Sequence, residues 1–232
     1  MNFTPPGPVS TSIFLLIVAA VVGAFLAGTY FAHRRLKLPA WRPTHWAAVG
    51  VLAWLGAVSL LVSRGIVAAR PMPRLPVFFL VMNLITLLTA LSPFGKRLAY
   101  GLPLAALVGF QAFRIPLELV LHSWAEQGSI PVTMTWTGRN FDIVSGLIAA
   151  LLAPLANRSR PAAWVANLVG FALLLNVVRV AVLSSPLPFA WKVEPPLQLA
   201  FHLPYALIAP VCVAGALLGH LVLTRALLSK RD

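Results

Sequence analysis

Long apolar segments recur along this chain, and their recurrence constrains the fold more than any other feature. The chain has 232 residues, of which 59% are hydrophobic and 10% charged. A single soluble core of this length cannot bury that much apolar surface. The sequence therefore predicts an all-α, polytopic transmembrane helical bundle, formed by one integral membrane domain over residues 1–232. About seven spans are expected, at residues 11–32, 46–63, 75–94, 98–122, 141–156, 162–183 and 197–223.

The basic residues, which give a net charge of +13, lie in short loops between the apolar segments. Because they do not form one patch, nucleic acid is excluded as a partner, whereas contacts with membrane lipids are favoured. Sixteen of them divide unequally between the two sides, and Arg114 and Arg179 lie within spans. The eleven on the C-terminal side are Arg34, Arg35, Lys37, Arg42, Lys96, Arg97, Arg158, Arg160, Arg225, Lys230 and Arg231, against five (Arg64, Arg70, Arg74, Arg139 and Lys192) on the other. This bias predicts an inner-membrane protein with an outer N-terminus and a cytoplasmic C-terminus.

The chain has a single cysteine, Cys212, within the last predicted span. A disulfide framework and a CxxC site are therefore excluded, and neither a metal nor a cofactor is expected. The first 32 residues contain no Lys or Arg. Because a cleavable signal peptide begins with a basic region, segment 11–32 is expected to remain as a span.

The fourth predicted span carries three polar residues on one helix face, since Arg114, Glu118 and His122 are four residues apart. In the predicted orientation they lie in the outer half of the bilayer. The following spans bring further polar residues to the same depth: Arg139, Asn140, Asp142, Ser145, Asn176, Arg179, Gln198, His202 and Tyr205.

An unpaired charge at this depth costs at least about 2.5–3.5 kcal/mol. We therefore expect one shared outer-leaflet pocket, in which Arg114 and Arg179 pair with Glu118 and Asp142. Segment 123–140 is expected to cover it as a short extended lid, because threonines alternate there with Met134 and Trp136. Two structural interpretations stay open: a local ion pair between Arg114 and Glu118, and an Asn176 that only joins helices.

Three short motifs occur in the second half of the chain: VSG at Val144–Gly146, NVVR at Asn176–Arg179, and LAFH ending at His202. With these motifs the region of about 140–223 resembles the exosortase/archaeosortase family of polytopic membrane enzymes. The resemblance implies cleavage of C-terminal sorting signals and transfer of the new end to an acceptor. It also implies that Arg179 stabilises an oxyanion and that His202 carries a proton. Val144 stands where the family has its nucleophilic cysteine, so cysteine transpeptidation is not expected.

Three functions remain open after this comparison of motifs. The first is a pocket that binds a peptide tail or a lipid-linked group without cleaving it. The second is a hydrolase or transferase in which Asp142 or Glu118 acts with His122 or His202, or, less favourably, Ser145 acts beside His202. The third is a structural subunit with partners in a larger membrane complex.

Transport is disfavoured because the cytoplasmic half of the spans is almost free of polar residues. His220 is assigned no role. The catalytic candidates are Asp142, Arg179 and His202, and the binding candidates are Arg114, Glu118, His122, Arg139, Asn140 and Asn176.

Overall fold

The computed structural model describes residues 3–229, and every regular element within that range is helical. Lys230 and Arg231, two of the eleven basic residues used to predict topology, lie outside this range. The α-helices are α1 (Pro8–Arg35), α2 (Trp41–Ser63), α3 (Pro71–Leu91), α4 (Pro93–Gly101), α5 (Leu104–Gly109), α6 (Arg114–Glu126), α7 (Asp142–Ala156), α8 (Arg160–Ser184) and α9 (Ala214–Leu228). Short 3-10 turns lie at Phe110–Phe113, Val132–Met134, Leu199–Phe201 and Tyr205–Leu207, and a π-helix lies at Ile208–Val213.

Six helical stretches in the described range are long and apolar enough to cross a membrane. They are α1, α2, α3, Leu104–Glu126, α8 and Tyr205–Leu228. The multi-pass architecture is therefore supported. The predicted span at 141–156 is α7, an apolar helix of 15 residues, which is shorter than the twenty or so residues that a bilayer core requires.

Contacts between distant segments define the two ends of the bundle. At the end that we call the N-terminal end, the Gly7 amide donates to Gln127 Oε1 (2.6 Å) and the Thr11 hydroxyl lies 3.3 Å from that of Tyr205. At the opposite end, the C-terminal end, Arg225 Nη1 donates to the Ser92 carbonyl (2.9 Å). The start of α1, the end of Leu104–Glu126 and the start of Tyr205–Leu228 thus meet at one end, and the ends of α3 and Tyr205–Leu228 meet at the other, an arrangement that antiparallel spans produce.

Two stretches, Leu104–Glu126 and Tyr205–Leu228, form the centre of the bundle. In the most apolar 18-residue segment of each stretch half of the residues are buried, whereas in that of α2 only 11% are buried. α2 instead exposes large apolar side chains such as Leu52 (69%) and Leu60 (56%). Because apolar exposure is favourable only against lipid, α2 lies at the periphery, while polar side chains on the two central stretches are shielded from lipid.

Two predicted spans begin in the wrong place. The fourth was expected at 98–122, but α4 ends at Gly101 and the span begins at Leu104, because Pro103 holds Leu102 in an extended conformation (φ −94°, ψ 141°). The seventh was expected from 197 but begins at Tyr205. Three prolines, at 195, 196 and 204, disfavour a helix before that residue.

Candidate functional site: a buried polar cluster at the N-terminal end

Arg114 lies at the start of α6, immediately after the 3-10 turn Phe110–Phe113, and is only 1% exposed. The turn precedes Pro116, which lacks the N–H that a regular helix would direct to the carbonyl of Ala112. Arg114 therefore projects from the junction of two helical segments toward α7 and α8.

The Arg114 guanidinium holds three elements together through one nitrogen. Its Nη1 forms a salt bridge with Asp142 Oδ1 (2.9 Å) and also donates to Ser145 Oγ (2.5 Å) and to the Gly170 carbonyl (3.0 Å). The predicted pairing of Arg114 with Asp142 is thus present. Arg114 Nη2 is buried without a hydrogen-bond partner, which leaves one charged donor in the cluster unsatisfied.

Glu118, one turn after Arg114, is bonded to a neutral group. Asn140 Nδ2 donates to both carboxylate oxygens (2.9 and 3.0 Å) and to the Met134 carbonyl (3.1 Å). Asn140 Oδ1 accepts from the Asp142 amide (3.1 Å), so the same amide side chain also orders the start of α7. The i,i+4 ion pair between Arg114 and Glu118 is not formed at salt-bridge distance in the described structure. Glu118 is therefore a buried carboxyl group (1% exposed) that no cation contacts directly.

Two glycines allow the helices to approach closely enough for these bonds. A Cβ at Gly146 would lie 2.7 Å from Ile115 Cγ1 and 2.9 Å from the Ile115 amide nitrogen. A Cβ at Gly170 would lie 2.9 Å from Ser145 Oγ and 2.7 Å from His220 Cε1. All four distances are shorter than side chains tolerate, so α6, α7 and α8 pack around the cluster only because these two positions carry no side chain.

Arg114, Glu118 and Asp142 line one cavity of about 70 Å³. The rest of its wall is mainly apolar and comes from α6, α8, the 197–200 segment and the π-helix, including Leu174, Leu197 and Cys212. The cavity thus joins a charged wall to an apolar one. Cys212, which lies ten residues after His202 in the sequence, borders the same space as the three charged groups.

A second buried hydrogen-bond network continues toward the C-terminal end. His220 Nδ1 lies 2.9 Å from Asn167 Oδ1, Asn167 Nδ2 donates to Thr224 Oγ1 (2.7 Å), and that hydroxyl donates to the His220 carbonyl (2.8 Å). Because Thr224 Oγ1 uses its hydrogen on the carbonyl, it accepts from Asn167, whose oxygen then accepts from His220 Nδ1–H. His220 Nε2 is left as a buried acceptor without a partner. His220, to which the sequence assigned no role, borders Gly170, whose carbonyl accepts a hydrogen bond from Arg114.

A separate group of candidates lies nearer the surface. Arg179 is exposed and donates to Asn176 Oδ1 (2.8 Å), and Asn176 Nδ2 donates to the Arg139 carbonyl (2.8 Å). The Arg139 guanidinium lies over the Trp191 ring, 4.3 Å from its centroid. Arg179 does not line the cavity, and within the described residues it has no salt bridge to Glu118 or Asp142. The expected pairing of Arg179 with an acid is therefore wrong, since its neighbour on the same helix face takes its hydrogen bond.

Both candidate histidines stack on aromatic rings outside the cavity. The His122 ring is 4.1 Å from that of Trp136, and its Nε2 lies 3.6 Å from Glu126 Oε1. The His202 ring lies 4.1 Å from that of Phe3, with 6° between the planes. Partial burial lowers the pKa of His202, which favours its neutral form. The cluster therefore includes Arg114, Glu118, Asn140 and Asp142, but neither of these histidines.

The expected extended lid is a compact turn instead. Val132–Met134 forms a 3-10 turn, Thr133 bonds Ser184 (2.7 Å between hydroxyl oxygens) and Thr135 bonds Thr137 (2.8 Å). The hydroxyls thus turn to different partners rather than sharing one edge. Met134 packs in the core beneath, so this segment forms a wall of the cavity.

Comparisons with protein-family profiles, curated proteins and solved structures found no match. The function of the cluster must therefore be argued from its own chemistry.

Asn167, Thr224 and the role of His220 were missed from the sequence. They lie on α8 and α9, where Asn167 and His220 have only apolar or glycine neighbours and Thr224 directly precedes Arg225. A signal exists in the helical spacing, because His220 and Thr224 are four residues apart and share one face. Its meaning depends on Asn167, which the fold brings from another helix.

Proposed function

We propose that this chain is a multi-pass inner-membrane protein whose cavity binds the polar end of a peptide tail or a lipid-linked group, without cysteine chemistry. The observation that carries the proposal is the buried, unpartnered Arg114 Nη2 beside a cavity that Glu118 and Asp142 also line. Leaving a charged donor unsatisfied costs about 1–3 kcal/mol or more. A bound acceptor removes that cost.

The charges of the cluster define which polar group fits. Arg114 and Asp142 neutralise each other, whereas Glu118 has only the neutral Asn140 as partner. A bare anion would add a buried charge that the Arg114–Asp142 pair, already neutral, does not offset. A neutral group that accepts from Arg114 and donates to Glu118 avoids this, as a terminal amide, a hydroxyl or a protonated carboxyl group does.

The apolar wall fits the atoms next to that polar end. Leu174, Val177 and Leu197 lie along the cavity and come from α8 and the segment after it. Because the cavity has a volume of only about 70 Å³, it admits the polar end of an amphipathic ligand, placed at Arg114, and the adjoining apolar atoms, while the rest of the ligand lies outside.

The fold proposed for this chain is exosortase-like but lacks the nucleophile of that family. Val144 is 40% exposed and does not line the cavity, whereas Ser145 beside it is buried at 2%. A nucleophile at position 144 would point away from the charged wall. This arrangement supports binding rather than thiol transfer.

Photo-crosslinking in native membranes tests the proposal. A benzophenone amino acid at Ala181, which lines the cavity, is expected to capture a peptide or a lipid-linked species. The matched control is Ala172 on the same helix, which is exposed outside the cavity. Arg114→Gln should abolish capture at 181 in protein that still folds. Equal capture from both positions, or capture unaffected by Arg114→Gln, would contradict a ligand bound at the cluster.

One observation favours a second function, hydrolysis or acyl transfer by Ser145. Its Oγ accepts from Arg114, so its own hydrogen is free, and His220 Nε2 is an unpartnered base oriented by Asn167. The two atoms flank Gly170, and a Cβ there would lie 2.9 Å from Ser145 Oγ and 3.1 Å from His220 Nε2. Ser145 would attack an acyl carbonyl, pass its proton to His220 and so to the leaving group, and water would release the acyl chain.

A fluorophosphonate probe distinguishes this enzyme from a binding protein, because it labels only activated serines. If Ser145 is a nucleophile, the folded protein is labelled, and Ser145→Ala and His220→Gln abolish labelling. The control is Ser184→Ala, which removes a buried serine bonded to Thr133. A folded wild-type protein that stays unlabelled would leave binding as the function.

A further inference from the structure

An apolar cavity of about 420 Å³ lies between α1, α2, α3, α5 and the last span, away from the polar cluster. We call it the lateral slot. Along α1 it extends from Val21 to Phe31, about 15 Å at 1.5 Å per residue. That length is about half of a 30 Å hydrocarbon core, or one leaflet.

The interior of the lateral slot offers nothing to water. Its two threonines donate to carbonyls of their own helix, Thr86 to Met82 (2.9 Å) and Thr89 to Ile85 (2.8 Å). The other lining side chains are hydrocarbon or aromatic apart from the Trp54 indole, and the glycines contribute only backbone. A cavity of this character excludes water. Its occupant must therefore be apolar.

The lateral slot is open at its side. Phe31 is 58% exposed and Ile85 is 42% exposed, and both line the slot. These exposed apolar side chains face the region where lipid chains lie around a membrane bundle. An acyl chain can therefore enter from the bilayer without passing through the protein core.

A polar space of about 370 Å³ adjoins the slot at the C-terminal end. It is lined by Arg35, Tyr100 and Asn157, and Leu102 borders both spaces. Asn157 Oδ1 already accepts from the Ala105 amide (3.0 Å). Arg35 carries the positive charge of this space, and within residues 3–229 neither a salt bridge nor a hydrogen bond of its guanidinium is formed.

The charges around this space favour an anion. Within residues 3–229 the acidic side chains are Glu118, Glu126, Asp142 and Glu194, and all four lie in the half of the bundle at the N-terminal end or on the loops of that end. The C-terminal end carries only basic charges in the described range: Arg34, Arg35, Lys37, Arg42, Lys96, Arg97, Arg158, Arg160 and Arg225. An anionic headgroup at Arg35 would meet attraction from several of these groups and repulsion from none.

We infer that the lateral slot and the adjoining polar space together form a binding site for one anionic phospholipid, with an acyl chain along α1 and the phosphate at Arg35. The site lies at the opposite end from the polar cluster and does not depend on the function proposed there. The bound lipid would lie between α1 and the central span Leu104–Glu126 and would fill the space between these helices.

Native mass spectrometry of the delipidated protein tests the inference with two defined lipids. Dioleoyl phosphatidylglycerol should be retained at one equivalent and raise the thermal unfolding midpoint, whereas dioleoyl phosphatidylcholine should bind more weakly. Arg35→Gln should weaken phosphatidylglycerol binding about fivefold, the effect of one basic group at a headgroup. Arg34→Gln removes the same charge from the same helix end but not from the polar space, so binding should change little.

A second pair of variants tests the acyl chain. A Cβ at Gly28 meets only Leu102 Cδ1 at 3.5 Å, so Gly28→Leu should fold and fill the slot, abolishing retention of either lipid. Gly23→Leu on the same helix meets nothing within 4 Å and should retain the lipid. If Gly28→Leu does not fold, the acyl chain is tested instead with dihexanoyl phosphatidylglycerol on the wild-type protein. This short-chain lipid should bind far more weakly than the dioleoyl lipid.

Three results would overturn the inference. Equal losses of phosphatidylglycerol binding in Arg34→Gln and Arg35→Gln would show that the lipid is held by diffuse attraction to the basic surface and not by a site at Arg35. Lipid retained by folded Gly28→Leu, or equal binding of short-chain and long-chain lipids, would show that no acyl chain occupies the lateral slot. A wild-type dimer that Gly28→Leu converts to a monomer would make a second copy of this chain the occupant.

Discussion

Removing the carboxylate of Asp142 tests the energetics of the buried cluster. Asp142→Ala leaves the Arg114 guanidinium, 1% exposed, without its salt-bridge partner. Breaking a buried ion pair by removing one partner costs about 3–5 kcal/mol. Arg114 keeps two neutral acceptors, Ser145 Oγ and the Gly170 carbonyl, so we expect the lower part of this range, about 3 kcal/mol.

The assay is thermal unfolding in detergent, compared with a surface variant. At about 2–4 °C per kcal/mol for a chain of this size, Asp142→Ala should lower the midpoint by about 6–12 °C. Glu126→Ala is the control, because its side chain is 70% exposed and its loss should cost less than about 1 kcal/mol. Asp142→Asn should lie between the two, since it keeps an oxygen for Arg114.

A double variant separates the ion pair from general disruption. If Arg114 and Asp142 interact directly, Arg114→Met combined with Asp142→Ala should be less destabilised than the sum of the single variants, by about 0.5–3 kcal/mol. Additive losses of stability would contradict a direct interaction between Arg114 and Asp142. An Asp142→Ala midpoint equal to that of the Glu126→Ala control would contradict a buried ion pair.

Further variants test the packing and the limits of the cluster. Gly146→Leu should cost about 1–3 kcal/mol or more in unfolding free energy, because its Cβ would meet the backbone of α6; wild-type stability would contradict the close approach. Asn167→Leu should cost about 1–3 kcal/mol by leaving His220 Nδ1 unpartnered, measured in the same unfolding assay. Arg179→Gln should change unfolding by no more than about 0.5 kcal/mol and leave crosslinking at the cavity intact, because Arg179 is exposed outside it. Cys212, the single cysteine, should react with N-ethylmaleimide slowly when folded and fast when denatured; fast labelling of the folded protein would place it outside the core.

The helical architecture could be predicted from the sequence because it depends on local properties. Apolar length and flanking prolines suffice to find α1, α2, α3 and α8. The errors lie where prolines delay the start of a span, at Pro103 before the fourth span and at residues 195, 196 and 204 before the last one. The apolar pattern continues across these prolines, so hydrophobicity alone does not reveal where the helix begins.

The polar cluster could be predicted only in part, for a different reason. The cost of buried charge predicted that Arg114 pairs with one of two acids, and the structure gives Asp142 as its partner. The prediction failed for Arg179, which is exposed and donates to Asn176 near the surface. Depth in the membrane is shared by residues on every side of a helix, so depth alone does not determine which side chains meet. His220 was missed because its link to the cluster depends on Gly170, a residue without polar chemistry of its own.

A density map of the protein in native-lipid nanodiscs tests whether the polar cluster binds a ligand. If it does, the map should show density for a bound group within hydrogen-bond distance of Arg114 Nη2, continuing along Leu174 and Leu197. An empty cavity, or an Arg114 whose Nη2 instead bonds Glu118, would contradict it and leave the cluster as an element that fixes helix packing.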